Sequence, residues 1–188
     1  NILRNSSKPF ENNNNKPFNW VRSDIFGGRS ILWGRQCYRW SDIDFSANRT
    51  DGHGIDWPIR YKDISAWYSH VEQFIGVSGE KLNLQQLPDG EFMPAMSLNI
   101  AEKHFKKAVA RNFDGRIVTI GRTANLTSEL PNQKRNKCMY RSQCDRGCSF
   151  GAYFSTQSST LPAALETNNL TIKTNTLVDS FEYDDTEE

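Results

Sequence analysis

Three of the chain's four cysteines, Cys138, Cys144 and Cys148, follow the spacing Cys-x5-Cys-x3-Cys, while Cys37 stands alone. Thiolates ligate zinc and iron–sulfur clusters. Three thiols in one short stretch do not resemble the disulfide framework of a small secreted protein. Lys134, Arg135, Lys137, Arg141 and Arg146 surround the group. Positive charge favours the thiolate, the form that binds metal, and offsets the charge of a thiolate-ligated cluster. Gly147 allows the backbone to fold tightly around an inorganic core. Three thiolates are one ligand short of a [4Fe–4S] cluster or a structural zinc site, whereas a three-iron cluster needs only three. Zinc could recruit His53, His70 or His104, all far upstream. On spacing alone an iron–sulfur cluster is the leading reading. Zinc, a disulfide with one free thiol, and inert cysteines remain open beside it. Cys37 reads as structural.

The elements that must position this group are few. The chain has 188 residues, enough for one domain or slightly more. Its 37% hydrophobic content and mean hydropathy of −0.68 point to a thin core, with five Trp and eleven Phe supplying much of the apolar surface. A net charge of +1 gives no basic face for nucleic acid, and no apolar run is long enough to cross a bilayer. Residues 1–19 read as a polar loop or linker, with Asn12 to Asn15 as a low-complexity tract. Residues 44–56 read as turns. Apolar residues at helical spacing predict a helix over 63–75, N-capped by Asp63 and ended by Gly76. A second is predicted over 99–112, with Asn99 and Glu102 as a capping box and Ala101, Phe105, Ala108 and Val109 as its inner stripe. A short helix is expected over 160–167 with Pro162 in its first turn. Strands are expected over 116–120, 170–173 and 177–183.

Several segments, in order, resemble the middle of a glucose–methanol–choline (GMC) oxidoreductase. Gly27-Gly28-Arg29-Ser30-Ile31-Leu32-Trp33-Gly34-Arg35 is similar to the family's Gly-Gly-Ser/Thr-Ser/Thr segment, which approaches the flavin. Arg29 stands where the family has a small hydroxyl residue, and Trp33 where many members have Asn. Asp56-Trp57-Pro58-Ile59 with Tyr61 and Glu72 resembles a Trp-Pro-Ile…Tyr…Glu stretch, and Leu161-Pro162-Ala163-Ala164 follows further on. The cysteine spacing and the Gly151-Ala152 pair after it resemble the three-iron cluster ligands of bacterial FAD-dependent glucose and gluconate dehydrogenases. Asn169 to Val178 resembles the strand pair that meets the adenine end of FAD, with Val178 at the contact. The resemblance runs from about Trp20 to Tyr183.

The resemblance implies an FAD-dependent dehydrogenase that oxidises an alcohol group of a sugar or sugar acid. It places Gly27, Gly28, Ser30, Trp33 and Val178 at FAD, and Cys138, Cys144 and Cys148 on a [3Fe–4S] cluster relaying electrons to a cytochrome or quinone. The family's Rossmann Gly-x-Gly-x-x-Gly unit is absent from these residues, and none of the three histidines matches a catalytic position. The expectation is therefore an α+β, irregular mixed segment, with two main helices and short antiparallel strands. Within it, residues 20–62 approach the flavin, 63–121 are helical, 122–150 carry the cysteines, and 151–188 supply a helix and a strand pair. Such a segment is expected to be inactive alone and not to retain FAD. The Rossmann and C-terminal catalytic regions would be its partners within the same protein. The compartment stays open between periplasm and cytoplasm, soluble or peripherally membrane-associated. Two alternatives are a zinc-stabilised interaction domain and a GMC flavoenzyme segment lacking any cluster.

Overall fold

The computed structural model describes residues 15–16, 18, 21 and 23–183. The expected loop over 1–19 therefore lies almost wholly outside the described residues, as does Trp20. The described residues form five helices: α1 (Asp42–Phe45), α2 (Ala47–Asp51), α3 (Tyr61–Ile75), α4 (Ile100–Asn112) and α5 (Thr160–Glu166). Single 3-10 turns span Gly28–Ile31 and Cys144–Arg146.

Helix α3 starts two residues earlier than its apolar spacing suggests. Asp63 lies inside its first turn and accepts the Arg60 N–H at 2.7 Å, while Asp42 of α1 accepts the Tyr61 N–H at 2.8 Å. At its end Gly76 has φ 76°, and a Cβ there would run into Leu126 Cδ2. Only glycine meets both conditions. Helix α4 is capped as expected, Asn99 Oδ1 accepting from Glu102 N at 2.9 Å and Glu102 Oε2 from Asn99 N at 2.7 Å. Its inner stripe is not a core stripe, however: no α4 residue is buried, and Phe105 is 59% exposed.

Two expectations are corrected. Within 44–56, expected as turns, residues 44–45 and 47–51 are helical; α1 starts at a capping box, in which the Ser41 hydroxyl accepts from Ile43 N at 3.2 Å and Asp44 accepts from Ser41 N at 2.7 Å. The short antiparallel strands over 116–120, 170–173 and 177–183 do not form, and the described residues contain no strand, only isolated bridges. A strand needs a ladder partner for its N–H and C=O groups, and the described residues supply none along these stretches.

Residues 122–126 act as the spine of the molecule. Thr123 bridges Ser78, with backbone bonds of 2.9 and 3.0 Å in the two directions. Arg122 O accepts from Cys37 N at 3.0 Å, and Ala124 N donates to Arg35 O at 2.8 Å. On the other side Ala124 O accepts from Phe154 N, and Leu126 N donates to Ala152 O, both at 3.0 Å. The spine thus joins segments distant in sequence by one or two bonds each. Ile75, Val77, Ala124 and Phe154 form the small apolar core around it, with Trp33, Cys37, Phe74 and Phe92 packed against them.

Among the described residues, four buried arginines reinforce this thin core. Arg135 donates to Gly151 O (2.7 Å), Ile75 O (2.8 Å) and Ala152 O (3.2 Å). Arg122 donates to Pro88 O at 2.6 Å and Asp89 Oδ1 at 2.7 Å while lying over the Phe92 ring. Arg39 grips Glu72 through both carboxylate oxygens, at 2.8 and 2.6 Å. Arg35 donates to Phe154 O at 2.8 Å, to Ile31 O at 2.9 Å and to Trp33 O. A guanidinium carries five donors in a rigid fork, so each arginine satisfies several carbonyls that ladder bonds would satisfy in a sheet. Burial pushes Arg135 down to about 10, which registers how dry its site is.

Candidate functional site

The spine positions the cysteine segment. Cys138 N donates to Leu126 O at 2.8 Å, Asn136 N to Phe150 O at 2.8 Å, and Gly151 N to Cys148 O at 3.0 Å. Both ends of the loop are therefore tied to residues next to the core. Between them Tyr140 and Ser142 have φ of 51° and 53°, and Gly147 has φ 96°. Only the glycine takes this conformation without strain.

Cys138, Cys144 and Cys148 line one small cavity of about 30 Å³, together with Asn125, Phe150 and Tyr153. All three are free thiols, each partly buried. Burial pushes the Cys144 thiol up, and Cys148 and Cys138 push it further, against the opposing charge of Arg35. Lys134, Lys137, Arg141 and Arg146 are exposed, and Arg135 points into the core. The cation that does act on the thiol is Arg35, far away in sequence. It stacks over the Tyr153 ring at 3.6 Å from the centroid.

As a donor set, three thiols around one cavity fit a three-thiolate ligand shell. Asn125 adds a buried side-chain oxygen that has no protein partner. As they stand, the sulfurs do not converge: no three His, Cys, Asp or Glu side chains among the described residues are arranged to hold a metal ion. A cavity near the volume of one water also leaves no room for several iron and sulfide atoms, so ligation requires the 138–148 loop to open around its ligand. His53, His70 and His104 do not line this cavity. His70 stacks on Phe74 along α3, and His104 is exposed on α4.

A larger cavity of about 410 Å³ is lined by Cys148 together with Arg35 and Tyr153. It is lined by Ile31, Lys134, Cys148, Gln157 and Ser158 among others. The Gly27–Ser30 turn is clasped by the segment after Ser155, of which Gln157 and Ser158 line this cavity. Ser30 Oγ donates to Gly27 O at 2.6 Å and accepts from Thr156 N at 3.0 Å, and Gln157 Nε2 donates to Phe26 O. A Cβ on Gly27 would lie 2.8 Å from Gln157 Cγ, whereas Gly28 faces open space. Trp33 packs edge-on against Phe154 at 5.8 Å, its indole N–H donating to Phe154 O at 3.4 Å. Val178 is 67% exposed and lies far along the chain from this turn. Of the five residues expected at FAD, Gly27, Gly28 and Ser30 share one turn, Trp33 packs against the core, and Val178 is exposed.

Sequence reasoning overlooked Arg35, Asn125 and Tyr153 as a group. Each lies in a segment already singled out or beside one, but only the bridges along the spine bring them to the thiols. No helix among the described residues is long and apolar enough to cross a membrane.

A family model for GMC oxidoreductases matches residues 3–187. No curated protein matches the chain.

Proposed function

The chain belongs to the GMC oxidoreductase family, flavin oxidoreductases acting on CH–OH donors, and on that premise we propose that it serves a dehydrogenase for an alcohol group of a sugar or sugar acid. FAD, when bound, accepts the hydride and releases electrons one at a time. The turn at Gly27–Ser30 offers the open backbone of Gly28 for close approach by a planar ring or diphosphate. The Thr156 and Gln157 clasp holds that turn in shape. Tyr153 and Cys148 line both the larger cavity on this side and the small cavity of the thiols.

We assign Cys138, Cys144 and Cys148 as ligands of a [3Fe–4S] cluster, the acceptor beyond it being a cytochrome or quinone. The observation that supports the ligand set is that all three thiols line one cavity with no histidine among them. A second reading, a flavoenzyme of the same family without a cluster, is favoured by the failure of the three sulfurs to converge.

Iron, acid-labile sulfide and zinc per chain after anaerobic purification, with an EPR spectrum of the oxidised protein, separate these. About three irons and four sulfides per chain, lost in Cys144→Ser, are expected. Zinc alone would turn the site into a structural knot. Protein that is folded and flavin-loaded yet free of iron would establish the reading without a cluster.

A further inference from the structure

The cavity of about 410 Å³ has the size of a small-molecule site. Its lining carries two cations, Arg35 and Lys134, and among the described residues no Asp or Glu. Hydroxyl and amide side chains, Asn136, Ser149 and Ser155 among them, make up much of the rest. Arg35 is 3% exposed. It donates to the carbonyls of Phe154 at 2.8 Å, Ile31 at 2.9 Å and Ser30 at 3.3 Å. Carbonyl dipoles solvate a guanidinium without neutralising it. Arg39 is paired with Glu72 and Arg122 with Asp89, but Arg35 has no carboxylate partner among the described residues. Lys134 is exposed and has none there either.

A buried charge without a counter-charge is unfavourable, and like charges along one concave wall attract an ion of opposite sign. Both features favour an anionic group in this cavity. The hydroxyl and amide side chains both donate and accept hydrogen bonds, which suits a ligand rich in hydroxyls. A sugar acid combines a carboxylate with such hydroxyls. The placement agrees: Ile31 ends the Gly28–Ile31 turn, Gln157 belongs to the segment that clasps it, and both line the cavity. Resting on the reading above of a dehydrogenase for a sugar or sugar acid, we infer that this cavity takes the substrate's carboxylate. The substrate class is then sugar acids rather than neutral sugars. Lys134, the exposed cation, determines that specificity, and Arg35 adds a fixed positive charge from within the fold. Hydrogen bonds between ions are about twice as strong as those between neutral groups, and a neutral sugar would leave both cations unpaired.

The test is steady-state oxidation of matched aldoses and aldonates by the complete, flavin-loaded protein with a dye acceptor, together with FAD content per chain. Lys134 is the residue to vary, since the carbonyl bonds of Arg35 also tie the fold together. Wild type is expected to favour the aldonates. Lys134→Gln is expected to lower kcat/KM on aldonates about tenfold relative to aldoses, mainly through KM, with FAD content kept. Lys134→Glu is expected to lower it further. Lys137→Gln removes an exposed cation of the same segment that does not line the cavity, and is expected to keep the wild-type selectivity. Wild type that oxidises aldoses as well as aldonates would overturn the inference while leaving the dehydrogenase reading in place. Equal selectivity in wild type and Lys134→Gln would overturn it too. Loss of FAD from Lys134→Gln would give the cavity to a phosphate of the cofactor, and would equally overturn it. Flavin-loaded protein that oxidises neither class would remove the sugar-oxidising reading and this inference with it.

Discussion

Replacing Arg39 with methionine removes one half of an ion pair that is closed to water. Arg39 and Glu72 are each 5% exposed, and the guanidinium reaches the carboxylate at 2.8 and 2.6 Å. It also donates to Tyr61 Oη at 2.8 Å and Ser69 Oγ at 2.9 Å. In Arg39→Met the Glu72 carboxylate keeps the Glu91 N–H at 3.0 Å but loses its counter-charge. Breaking a buried pair from one side costs about 3–5 kcal/mol, a large part of the roughly 5–15 kcal/mol that holds a domain folded. For a chain of this size each kcal/mol moves Tm by about 2–4 °C, so a drop on the order of 10 °C is expected. The double variant Arg39→Met/Glu72→Leu leaves no unpaired charge and should regain much of the loss. Urea denaturation of the four proteins in the cycle, at constant m, measures the coupling. A single-variant cost below about 1 kcal/mol, the value of an exposed pair, would refute the reasoning. Strict additivity in the cycle would refute it equally.

Two further outcomes follow from the core. Gly76→Ala forces a side chain into the left-handed region, at a cost of about 1–2 kcal/mol, and drives its Cβ against the buried Leu126, adding about 1–3 kcal/mol of overpacking. A urea midpoint unchanged from wild type would exclude that collision. Burial pushes the Cys37 thiol from 9.0 up to about 11, so the native state keeps a proton that the unfolded chain loses. Its contribution is fully present below pH 9 and is lost as pH rises through about 11, to a limit of about 2.7 kcal/mol. Cys37→Val should flatten that share of the alkaline loss, which parallel pH–stability curves of the two proteins would show.

What could be read locally could be read from the amino-acid order alone. Helix α3 follows from apolar residues at helical spacing, and α4 from Asn99 and Glu102, because i to i+4 bonds and caps involve neighbours. The same holds for α1, whose Ser41-x-x-Asp44 signal was present although the stretch read as turns. The grouping of Cys138, Cys144 and Cys148 is likewise local, as is the turn around Gly27 and Gly28. Tertiary structure decided everything that depends on distant partners. The apolar runs at 116–120 and 170–173 look like strands, but a strand exists only where another backbone pairs with it. Arg135 reads as one of five cations around the thiols, yet it turns inward because the carbonyls of Ile75, Gly151 and Ala152 converge on it. The charge that acts on Cys144 comes from Arg35, and the orphaned amide beside the thiols from Asn125. Neither is marked by its own neighbours, because both are carried there by single bonds along the 122–126 spine.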